Sequence, residues 1–266
     1  MSGDALAVHV SGDAEHPAIV FLHGLGVSRW MWDEQVAALS NRYHCVTLDL
    51  PGNGESAPVA WTSLADVADR VAEVIADLPA GRAHVVGLSL GGYVAVTLAD
   101  RHPTLVGRVV VSGITTTPLT PAWRYRLLVG VSGFVIRRPR LVRLAARAMR
   151  LPAEARTAMA GDSRRLSADT VRRVYDEIFS FDVRRLTLEA GDLLAVAADK
   201  DTRSIRDGLG VLAAVGATVA VAPDAHHAWN AERPELFTDL VARWVADGVV
   251  ADGMTDVQPK TSVPST

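Results

Sequence analysis

The sequence contains one cysteine, Cys45, which excludes an internal disulfide and is compatible with a reducing compartment. Cys45 lies in the apolar run 44–48, where we expect a small buried side chain rather than a reactive thiol. Residues 1–10 lack the basic start and the apolar stretch of a secretory signal peptide. We therefore expect a cytoplasmic protein.

Long apolar runs and an excess of basic charge are also missing. No run of 18 apolar residues is present, so we expect no transmembrane segment. The formal net charge of the 266 residues is -3, which gives no reason to expect a nucleic acid partner. With 49% hydrophobic and 21% charged residues, the composition is that of a globular protein with one substantial core.

Strand-like apolar runs alternate with stretches of helical spacing. The predicted strands are 18–22, 44–48, 83–86, 108–111, 193–198 and 217–221, and the predicted helices are 31–40, 64–78, 92–100 and about 234–246. Near-continuous apolar strands separated by helices indicate a mostly parallel sheet that is covered on both faces. The predicted fold class is therefore α/β.

The alternation is interrupted by a block that has helical spacing throughout, with helix starts near Pro121, Pro139, Pro152 and Ser167. We predict an α/β core formed by residues 1–113 and 191–250, with a helical insertion over 114–190. Residues 251–266 are rich in Ser, Thr, Pro and Asp and have no periodicity, which predicts a disordered tail.

The insertion differs from the core in charge. It contains fifteen arginines and no lysine against seven carboxylates, so its own net charge is positive. The net negative charge of the chain comes from the residues outside it. Two interpretations are open. The arginines form a solvated helix face, or they form a basic rim that attracts an anionic substrate or surface.

The pentapeptide Gly87-Leu88-Ser89-Leu90-Gly91 joins a predicted strand to a predicted helix. A serine on such a sharp turn projects its hydroxyl away from the backbone, and the flanking glycines allow neighbouring chains to approach closely. The N-terminus of the following helix directs its N–H groups to the same point, where they favour developing negative charge. Ser89 is therefore the predicted nucleophile.

A serine nucleophile needs a histidine base and an acid that orients the base. Among the histidines, His226 and His227 directly follow a predicted strand, and His23 lies in a loop where we interpret it as a brace. Acids follow another strand at Asp199 and Asp201, whereas Asp49 is interpreted as a loop brace. The order serine, aspartate, histidine is that of an open α/β sheet hydrolase. The residues alone do not separate the neighbouring candidates.

An oxyanion hole needs two N–H donors. One is expected from Leu90, directly after the serine, and the other from the loop His23-Gly24-Leu25-Gly26, whose glycines permit a turn that directs the Leu25 N–H inward.

The chain resembles the α/β-hydrolase family from about residue 18 to residue 245, apart from the insertion. The motifs that carry the resemblance are His23 to Gly26, Asp49 to Ser56, Gly87 to Gly91, Ala198 to Asp201, and His227 followed by Glu232 and Pro234. Motif details are most similar to 3-oxoadipate enol-lactonases and small carboxylesterases. The resemblance implies an eight-stranded-type, mostly parallel sheet with an inserted four-helix lid. It also assigns the acid to Asp201 and the base to His227, although His226 and Asp224 replace two glycines of the family motif and leave His226 as an alternative base.

These features predict a serine hydrolase of small carboxylic esters or lactones that forms an acyl-enzyme and needs no metal or organic cofactor. The predicted catalytic residues are Ser89, Asp201 and His227, with Leu25 and Leu90 as the oxyanion hole. A cofactor-free perhydrolase or haloperoxidase and a C–C bond hydrolase are alternatives, because one fold supports several reactions. A ligand sensor that retains the triad is a further alternative from a different class.

Overall fold

Buried apolar runs form one eight-stranded sheet in the computed structural model, which describes residues 5–119, 138–148, 150–188 and 192–256. The strand order is β1-β3-β2-β4-β5-β6-β7-β8. Strands β2 to β7 are mutually parallel, and the edge strands β1 and β8 pair antiparallel to β3 and β7. The strands are β1 Val8–Ser11, β2 Ala18–Leu22, β3 His44–Leu48, β4 Ala83–Leu88, β5 Val106–Ser112, β6 Leu193–Ala198, β7 Thr218–Ala222 and β8 Thr255–Asp256.

Helices cover both faces of the sheet. They are α1 Asp33–Leu39, α2 Leu64–Ala76, α3 Leu90–Arg101, α4 Pro139–Ala148, α5 Ala153–Asp162, α6 Ala168–Ser180, α7 Arg203–Ala214, α8 Trp229–Glu232 and α9 Pro234–Asp247, with 3-10 turns at Arg29–Trp32, Gly54–Ser56 and Val183–Arg185. Side chains alternate across each strand, so Val85 packs into the core under α2, α3 and α7, while Val86 packs into the core under α1 and α9. Both cores hold the carboxyl end of β4 rigidly.

The predicted α/β class and mostly parallel sheet are confirmed. The predicted strands 18–22, 44–48 and 193–198 have the same bounds in the structure. Strand β1 was not predicted, because it is a short and largely exposed edge strand. Helix α7 was also not predicted, and its two glycines, Gly208 and Gly210, explain the weak helical pattern.

The insertion contains three helices among its described residues, and they begin at or next to the predicted starts Pro139, Pro152 and Ser167. The predicted start at Pro121 lies outside the described residues. The tail differs from the expectation at its beginning, since Thr255 pairs with Val221 and Asp256 with Ala220 at the sheet edge. Residues 257–266 are outside the described part of the chain.

Cys45 is a structural residue of β3. It is 1% exposed, and burial raises the pKa of its thiol to about 11. None of the helices in the described ranges is long and apolar enough to cross a membrane.

Candidate active site

Ser89 occupies the sharp turn between β4 and α3. Its backbone has φ 54° and ψ -118°, a conformation that L-residues rarely adopt and that is typical of strained functional turns. A Cβ on Gly91 would lie 1.9 Å from the Leu22 carbonyl oxygen, and one on Gly87 would lie 2.2 Å from the Gly91 carbonyl oxygen. The turn therefore requires both glycines, so the two glycines of the pentapeptide indicate this backbone conformation around Ser89.

Asp201 and His227 come together although 26 residues separate them. The His227 Nδ1 donates to Asp201 Oδ1 at 2.7 Å, and the Ala198 N–H donates to Asp201 Oδ2 at 2.9 Å. The Asp201 side chain is 2% exposed and the His227 side chain 30% exposed. Because Nδ1 carries the proton that the carboxylate accepts, Nε2 is left as an acceptor.

The backbone of Gly113, after β5, packs against the His227 ring. A Cβ at Gly113 would lie 2.5 Å from His227 Cε1, and the residue has φ +72°. Two residues after His227, the buried Trp229 of α8 donates from Nε1 to the Ser112 hydroxyl at 2.8 Å. Ring orientation is thus fixed by a carboxylate, a glycine and an anchored helix. Gly113 was not predicted as a site residue, because its only signal in the sequence is its place after a parallel strand.

The neighbouring candidates have other partners. The His226 ring contacts the Glu232 carboxylate at 3.1 Å, and its backbone N–H donates to the same carboxylate at 2.8 Å. Asp199 accepts the Ala225 N–H at 3.0 Å and pairs with Lys200 at 3.3 Å. Both side chains brace the loop that carries His227.

Ser89 and His227 line one small cavity of about 70 Å³. Most of its lining is apolar, and two of the apolar side chains, Leu151 and Met159, come from the insertion. The core contributes Leu25, Val27, Trp30, Met31, Leu88, Ala228 and Ala231. Ser89 and His227 therefore border a space with a mostly apolar lining.

The first N–H of α3 belongs to Leu90, and the Leu25 N–H lies in the loop that borders the cavity. Neither N–H has an acceptor among the described residues. Gly24 is close to the serine, since a Cβ added to it would lie 3.5 Å from Ser89 Cβ. One uncommitted donor therefore belongs to a residue that lines the cavity, Leu25, and the other to Leu90, which directly follows Ser89.

His23 and Asp49 brace the loops on this side of the site. His23 donates from Nδ1 to the Gly24 carbonyl at 2.7 Å and accepts the Leu50 N–H at Nε2 at 2.9 Å. Burial lowers the pKa of His23 and keeps the ring neutral. Asp49 accepts the N–H groups of Arg29 and Glu55, each at 2.7 Å.

Asn53 connects the same two loops. Its Oδ1 accepts the Gly26 N–H at 3.0 Å, and its Nδ2 donates to the Pro51 carbonyl at 3.0 Å. This amide holds the turn that presents the Leu25 N–H, a role that the sequence analysis did not assign.

The insertion is attached to the rim of the site by Asp162, at the end of α5. One carboxylate oxygen accepts from the Ser28 hydroxyl and from the Trp30 indole, each at 2.7 Å. Farther along the insertion, the Glu177 carboxylate accepts the Leu64 N–H. Asp162 was not predicted as a site residue, because its partners lie more than 130 residues away in the sequence.

Within the described ranges, no group of three or more His, Cys, Asp or Glu side chains is arranged to hold a metal ion. Ser89 and His227 line the apolar cavity, and Asp201 contacts His227 without lining it.

The comparisons with known proteins cover most of the chain. The alpha/beta hydrolase family model matches residues 19–240. An AB hydrolase superfamily protein of Gibberella zeae is 30% identical over 89% of this chain and 82% of its own length. A 3-oxoadipate enol-lactonase of Acinetobacter baylyi is 38% identical over 36% of each chain. The crystal structure of a Pseudomonas aeruginosa hydrolase superposes with a TM-score of 0.76 at 23% identity, covering 91% of this chain and 94% of that one. The extent of the family match shows that the chain belongs to the alpha/beta hydrolase family.

Proposed function

We propose that this hydrolase cleaves small carboxylic esters or lactones through an acyl-enzyme formed on Ser89. His227 acts as the general base and acid, and Asp201 orients it. The observation that carries the proposal is the 2.7 Å hydrogen bond from His227 to the buried Asp201, with His227 and Ser89 lining the same cavity. Serine is a weak nucleophile at neutral pH and becomes active when such a base takes its proton.

The reaction begins when the Ser89 oxygen attacks the substrate carbonyl and its proton passes to His227 Nε2. The carbonyl oxygen becomes an oxyanion, which the Leu25 and Leu90 N–H groups stabilise at the N-terminal end of α3. The tetrahedral intermediate collapses, the C–O bond breaks, and His227 returns the proton to the leaving oxygen. A water molecule then attacks the acyl-serine by the same route, which releases the carboxylic acid and restores Ser89.

The cavity favours a small and apolar acyl group. Its volume of about 70 Å³ accommodates only a few heavy atoms, and His227 is the one titratable side chain that lines it among the described residues. The similarity to the 3-oxoadipate enol-lactonase of Acinetobacter baylyi supports including lactones, besides open esters, among the proposed substrates. Apart from the substrate and water, these steps use only groups of the chain.

A fluorophosphonate probe tests the assignment. Intact-protein mass spectrometry should show one adduct on the wild-type chain and none on Ser89→Ala, and turnover of p-nitrophenyl acetate or a small lactone should fall by up to about a millionfold. Labelling of Ser89→Ala would remove Ser89 as the nucleophile. A wild-type chain that is labelled but completes no more than one turnover of any ester or lactone would favour the ligand sensor.

A further inference from the structure

The solvent-facing side of α4 carries an uncommon combination of side chains. Arg140, Arg143, Leu144 and Arg147 follow the i, i+3, i+4, i+7 spacing of one helix face, and all four are exposed. The opposite face buries Val142 and Ala146. Three like charges at this spacing repel one another and destabilise the helix. A leucine that is 65% exposed among them adds a second unfavourable feature for a helix in water.

Two of these arginines, Arg140 and Arg143, also border a groove of about 520 Å³ on the insertion. Arg164, in the turn after α5, closes the other side of the groove, and Leu141 lies in its wall. No acidic side chain lines it among the described residues. Most of the residues that line the groove are arginines, so it is a basic surface.

The arginines of the α4 face and the groove differ from other arginines of the insertion in their pairing. Arg172 and Arg173 bind Asp169 at 2.8 and 2.6 Å, and Arg184 binds Asp182 at 2.8 Å. The arginines of this surface pair with no carboxylate in the described part of the chain; they are Arg140, Arg143, Arg147 and Arg164. Four arginines of the insertion without a carboxylate partner therefore belong to this one surface, although Arg156, Arg165 and Arg185 also lack one in the described part of the chain.

We propose that the α4 face and this groove form a docking surface for a membrane that contains anionic phospholipid. Guanidinium groups bind phosphate oxygens through paired N–H donors. Leu144 favours a lipid surface over an acidic protein or a free anion, since a leucine surrounded by arginines can enter the acyl boundary while the arginines remain at the phosphates. The surface is distinct from the cavity at Ser89, which no arginine lines. The proposal therefore stands independently of the ester hydrolase assignment.

Sedimentation of the full chain with vesicles tests the proposal. Binding is expected to vesicles in which phosphatidylglycerol replaces roughly a third of the phosphatidylcholine, to be weak on pure phosphatidylcholine, and to fall as salt rises. The variant Arg140→Gln/Arg143→Gln/Arg147→Gln should lower the partition coefficient on the order of a hundredfold, because each arginine near an anionic surface contributes about a factor of five. Leu144→Ala should lower it several-fold and leave its salt dependence unchanged.

The matched control is Arg172→Gln/Arg173→Gln/Arg184→Gln, which removes the same charge from the same insertion at paired positions. It should retain nearly all binding. Equal losses in both triple variants would mean that net charge alone acts, which overturns the docking surface. Absence of wild-type binding to anionic vesicles would also overturn it, as would binding to glycerol phosphate or polyglutamate without binding to vesicles. Circular dichroism and ester turnover of each variant establish that the chain remains folded.

Discussion

The α/β core and the helical insertion contribute different kinds of residues to the candidate site. The core supplies Ser89, Asp201 and His227 from the ends of β4, β6 and β7, where backbone contacts leave little freedom. The insertion supplies Leu151 and Met159 as cavity walls and is attached through polar contacts such as the one at Asp162. The proposed chemistry thus depends on strand ends of the core, whereas the insertion contributes two apolar side chains to a cavity that the core mostly lines.

The same contrast appears in charge. Core arginines such as Arg108 donate to carbonyl oxygens, at 2.8 Å from the Val245 oxygen, while groove arginines of the insertion face solvent. In these examples, neighbouring carbonyl groups hold the core arginine in place. The groove arginines remain available to whatever approaches the surface of the insertion. Changes at the two regions should separate into effects on turnover and effects on substrate or surface affinity.

The largest expected effect on turnover distinguishes two pairs of neighbouring candidate residues in the core, an aspartate pair after β6 and a histidine pair after β7. Asp201→Asn and His227→Ala should each lower kcat about a thousandfold or more, because the first loses the correct tautomer and the second the base. Asp199→Asn and His226→Ala are matched controls, and we expect them to reduce kcat only slightly, since these residues brace a loop. Steady-state kinetics on one ester measures all four. The reverse ranking would assign the triad to Asp199 and His226.

A smaller effect is expected from Gly113→Ala. The new methyl group would lie 2.5 Å from His227 Cε1, so the ring must move, and a displacement of about 1 Å can reduce turnover on the order of a hundredfold. Gly81→Ala is the control, because Gly81 has φ +57° and a Cβ added there would meet no atom within 4 Å. Both variants carry backbone strain, but only Gly113→Ala should lose activity. Equal kcat losses would show that strain rather than collision is responsible.

Much of the core could be predicted from the sequence because its signals are local. The glycines around Ser89 and the buried strands 18–22 and 193–198 follow from short-range sterics and apolar patterning. Asp201 and Asp199 illustrate the limit. They follow the same strand, and only the backbone direction after β6 decides which carboxylate meets His227 and which meets the Ala225 N–H.

The insertion could be predicted only in outline. Its helix starts follow from Pro139, Pro152 and Ser167, which are local signals. Its charge count does not specify which arginines pair. Arg172 meets Asp169 within its own helix, whereas the arrangement of Arg164 beside α4 is a tertiary contact that a one-dimensional count does not contain.

The attachment of the insertion gives a prediction about affinity. Asp162→Ala leaves the Ser28 hydroxyl and the Trp30 indole without their acceptor, so α5 and its cavity side chain Met159 should shift. We expect KM for a small ester to rise about tenfold while kcat changes much less. Asp162→Asn should restore part of the affinity, because its amide oxygen can still accept. Asp169→Ala, which removes only exposed ion pairs in α6, is the control. A fall in kcat with unchanged KM would contradict the proposed separation of core and insertion.

The smallest effect concerns the stability of the core at the end of the sheet opposite Ser89. His84 lies near the start of β4, accepts the Arg108 N–H at Nδ1 and has a pKa lowered to about 4 by burial and by the charges of Arg108 and Arg82, against the opposing charge of Asp192. Since the folded pKa lies below the unfolded value of about 6.5, the unfolded chain binds the extra proton between these values. The contribution of neutral His84 to stability is complete above the unfolded pKa and is lost as the pH falls toward 4.

For this partly exposed group the loss should be about 1 to 2 kcal/mol, discounted for solvent screening. His84→Gln keeps an acceptor for the Arg108 N–H and cannot be protonated, so urea unfolding between these pH values should show a flatter dependence than in the wild type. Its kcat near neutral pH should be unchanged, because the strand separates His84 from Ser89. Identical pH slopes for the two chains would mean that His84 has the same pKa in the folded and unfolded states.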